Sequence, residues 1–315
     1  MAKSEHIVSA ERRREMARVR KPQVWCYFSI PVYWHTAGGD FVLVKAPGQY
    51  LRDRLGSDLP LPEELYVFKK DKAAAVPEVQ AALNAELERI MAGQDVEGVK
   101  QLITDIVEET FSEPRAGTML PLKDTVKTVV AGYAGRKEAF RRIALMGSKD
   151  YSTVLHSVNV SALVLAYCAH RGLPKDRSVD LGLAGMLHDV GKLFVDQAIL
   201  AAQRKLTPEE FAKVREHPLL GHHFLRGADF PSEVMEACLQ HHERIDGQGY
   251  PKGLSKPSFA GQLVGIVDCY EALTSDERHY REALDPLPTL ALLKQEMLSG
   301  KFDQSLFKEF AYSLV

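Results

Sequence analysis

The sequence predicts a mainly α-helical protein: a C-terminal helical bundle preceded by a small β-rich, α+β domain. Three observations carry this expectation. Apolar residues recur at helical spacing through almost all of residues 147–315. Residues 22–75 instead hold short β-branched and aromatic runs between Gly- and Pro-containing turns. A length of 315 residues favours two domains and supports a sizeable core.

Composition excludes several classes. Lys plus Arg is 40 against 42 for Asp plus Glu, which gives no electrostatic case for duplex nucleic acid. The hydrophobic fraction of 45% is that of an ordinary globular protein. No run approaches the roughly 18 apolar residues of a membrane span. Cys26, Cys168, Cys238 and Cys269 are scattered with no CxxC, as expected of small buried residues in a reducing, cytoplasmic compartment.

Residues 1–21 read as a polar, basic leader, with arginines at 12, 13, 14, 18 and 20. No apolar core follows them, so they are not a secretory signal. Residues 22–75 form the β-rich domain. Val24–Ile30 and Asp40–Lys45 are strand-like, and Leu65–Phe68 is a third strand candidate. Gly38-Gly39-Asp40 and Ala46-Pro47-Gly48 supply turns. His35 stands alone there and reads as structural. Residues 76–146 are a helical connector. Val79, Leu83, Leu87 and Ile90 mark one helical face, stopping at Gly93; Val99, Leu102, Ile103, Ile106 and Val107 mark another. Gly132 and Gly135 break the helical pattern of residues 122–146, without the spacing of a phosphate loop.

Residues 147–315 are helical nearly throughout. A first helix carries His156 and runs toward Gly172. A second leads through Leu183 and Leu187 into His188-Asp189, with Gly191 at its end. Thr207-Pro208-Glu209-Glu210 is a capping box with proline at the first helical position, opening a helix expected to end at His217-Pro218. Pro231-Ser232-Glu233 opens the helix that delivers His241 and His242. Phe259–Leu273 is the next helix, with Asp268 inside an apolar face. The tail 287–315 closes the bundle.

The chemistry concentrates in five histidines and two aspartates. His188 and Asp189 are neighbours, so on a helix they diverge by about 100°. One ion rarely uses such a pair fully, whereas a carboxylate can bridge two ions. An unpaired carboxylate such as Asp268 on an apolar face is costly and needs a cation. His156, His217, His241 and His242 complete an inventory suited to two six-coordinate ions. The absence of thiolates leans toward iron or manganese rather than structural zinc. Lys192 could neutralise a phosphate oxygen or be a surface lysine at a helix end. His170, His222, His223 and His279 read as ordinary.

The set His156, His188-Asp189-Val190-Gly191-Lys192, His217-Pro218, the complete run from His241 to Pro251, and Asp268 resembles the HD-GYP subgroup of the HD phosphohydrolase superfamily, over residues 147–312. Ala272 to Asp276 and Gly300 to Asp303 share the likeness. The resemblance implies an HD-type helical bundle that hydrolyses cyclic di-GMP to pGpG or GMP with a two-metal-activated water. It implies His156, His188, Asp189 and Asp268 on one ion and His217, His241 and His242 on the other, with Asp189 bridging. Lys192 would hold the scissile phosphate, with Asp150, Tyr250, Arg278 and Arg281 as further substrate contacts. Glu243, Arg244 and Asp246 would brace the site and its loop.

Departures from the family pattern sharpen the expectation. Ser152 stands where some members have a glutamate for a third metal, so two metals are expected. Glu271 replaces a usual aspartate, and Ala202-Gln203-Arg204 replaces a usual Lys-Pro-Gly. These changes leave room for a cyclic di-GMP receptor with little turnover. A phosphodiesterase for another cyclic dinucleotide, such as cyclic GMP-AMP, is the other alternative. The resemblance also implies a regulatory N-terminal domain and a GGDEF-type partner docking on the GYP loop. A homodimer is a further expectation.

Overall fold

Short apolar runs near the N-terminus pair into one antiparallel sheet. The strands are β1 (Ile7–Val8), β2 (Met16–Val19), β3 (Val32–His35), β4 (Phe41–Lys45) and β5 (Leu65–Phe68). Their order is β1-β4-β3-β5-β2. The structure is a computed structural model that describes residues 7–55, 64–93, 95–146, 152–275 and 285–314. The stretch expected to be a polar leader contributes both edge strands. Met16 pairs with Phe68 and Val19 with Leu65. Met16 then joins Tyr33, Phe41, Tyr66 and Phe68 in the buried face of the sheet. The arginine run masks this strand, in which exposed Arg18 stands between buried Met16 and Val19 at the sheet edge.

The chain divides into two compact units, one of residues 1–89 with 105–114 and one of residues 90–104 with 115–315. The boundaries expected at 75/76 and 146/147 do not coincide with this division. Parts of the expected connector pack with the sheet and parts with the C-terminal bundle.

The second unit is built around the helix Thr153–Arg171. Every residue from Leu155 to Cys168 is buried, as in a helix enclosed on all sides. Its length and composition would also suit a membrane span, but 78% of the apolar window is buried inside the fold, so it is the core helix. Ser152 caps it by accepting the Leu155 N–H at 3.1 Å. Gly172 closes it with φ 62°. Lys137–Leu145, Lys175–Leu187 and Phe259–Thr274 pack against it.

Two local readings differ from expectation. The capping box at Thr207 forms as read, with Glu210 N–H on the Thr207 hydroxyl at 3.2 Å and Thr207 N–H on the Glu210 carboxylate at 2.9 Å. The helix it opens ends at Val214, and a new helix, His217–Leu225, starts at the histidine. Pro218 lacks an N–H to donate back, so it occupies a first turn rather than an interior. Gly191 does not close its helix, which ends at Leu187. It lies in the 3-10 turn Val190–Phe194, where a Cβ would overlap the His217 carbonyl oxygen. Only glycine lets these two backbones come so close.

Val24–Ile30, expected as a strand, is a helical turn (Lys21–Val24) followed by irregular chain. Its backbone groups are satisfied by side chains instead of a sheet partner. The N–H groups of Phe28 and Ser29 donate to the Glu78 carboxylate at 3.1 Å. The carbonyls of Tyr27, Phe28 and Ile30 accept from the Lys45 ammonium at 3.1, 2.9 and 2.5 Å. Lys45 is wholly buried, so removing its charge takes this donor from the Tyr27 and Ile30 carbonyls in the interior, while that of Phe28 keeps the Gly48 N–H at 2.9 Å. Lys45→Met should therefore destabilise the first unit by about 3 kcal/mol. Trp25 and Trp34, the two tryptophans of the chain, both lie in that unit. Denaturant unfolding followed by tryptophan fluorescence reads the loss directly, and an unchanged midpoint refutes it.

Candidate metal centre

Three helix ends and two helix interiors deliver the expected ligands to one place. His156 comes from the interior of the core helix, and Asp268 from Phe259–Thr274. His188 caps Lys175–Leu187 and Asp189 comes directly after it. His217 opens its helix, and His241 and His242 follow Ser232–Gln240. At helix ends the backbone is no longer held in one spiral, so adjacent residues can face the same point. Gly265 helps in the same way as Gly191, since a Cβ there would overlap the His241 carbonyl oxygen.

Two donor groups result: His156, His188 and Asp268, and Asp189, His217, His241 and His242. Asp189 stands between them with one oxygen turned to each. Its Oδ2 lies 3.5 Å from His156 Nε2 and 3.4 Å from His188 Nε2. Its Oδ1 lies 3.1 Å from His217 Nε2 and 3.8 Å from His241 Nε2. Asp268 Oδ1 is 3.1 Å from His156 Nε2 and 3.9 Å from His188 Nε2. All but His242 among these residues are buried.

The tautomers are set by the other ring nitrogens. Nδ1 of His188 donates to the Gly185 carbonyl at 2.7 Å. Nδ1 of His217 donates to Val214 at 2.7 Å and that of His241 to Ala237 at 2.9 Å. A carbonyl can only accept, so each Nδ1 carries the proton and each Nε2 presents a lone pair. His156 Nδ1 is held the same way by the Glu271 carboxylate at 2.5 Å. Yet His217 and His241 bring Nε2 atoms within 3.2 Å, and His156 and His188 within 3.3 Å. Lone pairs facing at that distance repel unless a cation lies between them. Asp189 Oδ1 is also buried without a hydrogen-bond donor. The residues therefore fit divalent ions, and their second nitrogens are already fixed by outer partners.

Electrostatics agree with that fit. Burial, followed by the neighbouring His188 and His217, pushes His241 down to about 3. Burial and His241 drive His242 downward too, so both rings stay neutral, the form that binds a metal. Burial works against the charge on Asp189, but Lys192 and His188 outweigh it and hold the carboxyl well below its usual range. Burial likewise opposes the charge of Asp268, and His156 outweighs it. At His156 burial disfavours the cation, while Glu271 and Asp268 raise it to about 9. A metal there takes the place of that proton, which otherwise sits on Nε2 beside Asp268 Oδ1 and is itself the positive charge between His156 and His188.

Several residues surround the donors. The Lys192 ammonium donates to Asp189 Oδ2. Tyr250 stacks on His242 with centroids 4.5 Å apart and planes at 23°. Asp150, Arg278 and Arg281 lie outside the described residues, as does His279. His170, His222 and His223 are not in the cluster. Sequence reasoning missed the roles of Glu271 and Asn159. Asn159 donates to Glu271 Oε1 at 2.9 Å, so the carboxylate is shared between this amide and His156. The available signal was spacing: Glu271 lies three residues after Asp268 and Asn159 three after His156, each pair on one helical face. The loop after His242 is tied to Glu243, which accepts the N–H groups of Lys252 at 2.7 Å and Leu254 at 2.8 Å. Arg244 donates to the carbonyls of His241 at 3.0 Å and Glu243 at 2.8 Å.

Comparison with known proteins adds relatives of the same kind. A cyclic di-GMP phosphodiesterase of Pseudomonas aeruginosa is 33% identical over 261 residues, covering 80% of this chain and 61% of that one. A 3′3′-cGAMP-specific phosphodiesterase of Vibrio cholerae is 30% identical over 165 residues, covering 52% of this chain and 38% of that one. The chain thus spans less than two thirds of the length of these relatives. Among solved structures, an HDG"Y"P protein from Bdellovibrio bacteriovorus matches with a TM-score of 0.65 at 19% identity, over 95% of this chain and 99% of that one. This is a likeness of fold. A model of the HD domain matches residues 134–306, a span that is more than half of the chain and holds every residue of the cluster, so the chain belongs to the HD-domain family.

Proposed function

We propose that the protein is a metal-dependent phosphodiesterase that hydrolyses cyclic di-GMP to pGpG or GMP. The carrying observation is the pair of facing imidazole sets around one carboxylate, with Nε2 separations of 3.2 and 3.3 Å. The relatives named in the preceding section, phosphodiesterases of cyclic dinucleotides, support the substrate class. In this reading His156, His188, Asp268 and Asp189 Oδ2 hold one divalent ion. His217, His241, His242 and Asp189 Oδ1 hold the other, with iron or manganese the expected metals. When bound, such ions supply Lewis-acid charge at the phosphate and a water acidic enough to attack it.

The chain's own groups do the rest. Asp189 keeps the two donor sets in register, because one rigid carboxylate serves both. Lys192 rests on Asp189 Oδ2 and is part-exposed, with its side chain 23% accessible. An arriving phosphate gives it a second anion, and its donor then stabilises charge developing on a non-bridging oxygen. Tyr250 is kept protonated, its phenol pushed upward by burial and then by Asp268 and Asp189. It offers the substrate a neutral aromatic wall beside His242. Asp150, Arg278 and Arg281 remain proposed substrate contacts, and a GGDEF-type partner at the loop and a homodimer remain proposals for pull-down and light scattering.

The deciding experiment is anaerobic metal analysis with cyclic di-GMP turnover on the same sample. The expected result is about two metals per chain with formation of pGpG or GMP. Fewer than one metal, restored by neither iron nor manganese, overturns the ligand assignment. Tight binding without turnover would instead make the protein a receptor. The similarity to a 3′3′-cGAMP-specific relative favours a second substrate, cyclic GMP-AMP, and running both dinucleotides in one assay separates the two.

Three variants divide the roles. Asp189→Ala should lose metal and activity together, and full turnover with both metals bound would disprove its bridging role. Lys192→Ala should slow turnover about a hundredfold with metal content near wild type; loss of metal would make the lysine structural. Glu271→Ala frees the His156 ring and should weaken metal affinity by about 10- to 100-fold, read by chelator competition.

A further inference from the structure

Arg215 occupies the short break between the helices Pro208–Val214 and His217–Leu225, two residues before His217. Its backbone is fixed there, the N–H donating to the Phe211 carbonyl at 2.9 Å. The side chain is exposed, and its guanidinium carbon lies 4.5 Å from the centroid of the Tyr250 ring. Tyr250 in turn stacks on His242, a member of the second donor set. The guanidinium therefore lies at the edge of the metal centre, beyond the aromatic pair that walls it.

Its partners set it apart from the other arginines nearby. Arg204 is locked onto the Glu210 carboxylate by two hydrogen bonds of 2.7 Å. Among the described residues Arg215 has no such carboxylate; its side-chain contact is the Tyr250 ring. An exposed cation resting on an aromatic face is held weakly and exchanges readily for an anion.

We propose that Arg215 receives the second, non-reacting phosphate of a cyclic dinucleotide while the first lies at the metal centre. The inference rests on the phosphodiesterase reading above and names a residue that serves it. A cyclic dinucleotide carries two phosphodiesters on opposite edges of one ring. The donor sets and Lys192 can serve only one of them. The other is carried outward past His242 and Tyr250, toward the accessible guanidinium on the outer side of the Tyr250 ring. Arg215 is thus a substrate-binding residue with no part in breaking the bond.

The test is steady-state kinetics and equilibrium binding of cyclic di-GMP with the metal-loaded full chain and its Arg215→Ala and Arg215→Lys variants. Arg215→Ala should raise KM by about 10- to 100-fold while kcat changes by less than about twofold, with metal content as in wild type. Arg215→Lys should recover most of the loss, because a phosphate accepts either cation. An unchanged KM, a fall in kcat alone, or loss of metal would overturn the proposal and make Arg215 a prop for Tyr250. A raised KM that lysine does not rescue would also overturn it, pointing to a guanidinium stacked on a base. If wild type binds cyclic di-GMP without turning it over, the phosphodiesterase reading fails by itself. The dissociation constants of the three proteins then decide Arg215 by the same criteria. If wild type does not bind it at all, both readings fall.

Discussion

Two imidazole nitrogens that both carry lone pairs do not rest about 3 Å apart in a dry interior without a positive charge between them. Much of the second unit makes sense as a means of meeting that condition. Three ring protons are pinned on backbone carbonyls and a fourth on Glu271, so the lone pairs are forced inward. Asp189 supplies negative charge to both sets at once. The apolar core helix keeps water away from His156, which strengthens every interaction the ring makes.

Such convergence needs backbone as much as side chains. Histidines on helix interiors would each point along their own spiral. Here most of them sit at termini, where the chain turns, and glycine removes the atoms that would hold the termini apart. Gly191 admits the chain at His217 beside Asp189, and Gly265 admits the His241 carbonyl beside the Asp268 helix. The fold thus places these close backbone contacts within one or two residues of the donors or, for Gly265, three residues from Asp268.

Legibility in the sequence tracked the range of the forces involved. The helices of the bundle, the capping box at Thr207 and the turn at Gly38–Asp40 could be read because each depends on neighbours in the chain. The gathering of His156, His188, Asp189, His217, His241, His242 and Asp268 was legible through one long string and its resemblance to a family. Val24–Ile30 was misread because its backbone partners, Lys45 and Glu78, lie far along the chain and leave no local trace. The strand at Met16–Val19 was hidden because its burial does not alternate and exposed Arg18 separates its buried residues. Glu271 and Asn159 sit 112 residues apart, and nothing in either neighbourhood announces the other.

Glu243 couples the histidines to the loop beside them. It sits directly after His242, yet both its oxygens grip backbone N–H groups well into that loop. The position of the loop backbone is therefore fixed from the residue beside the imidazoles. If the loop and the histidines order together, reciprocity requires that whatever tightens the one raises affinity at the other by the same factor. A single carboxylate thus ties the backbone of the loop to the chain position next to His242.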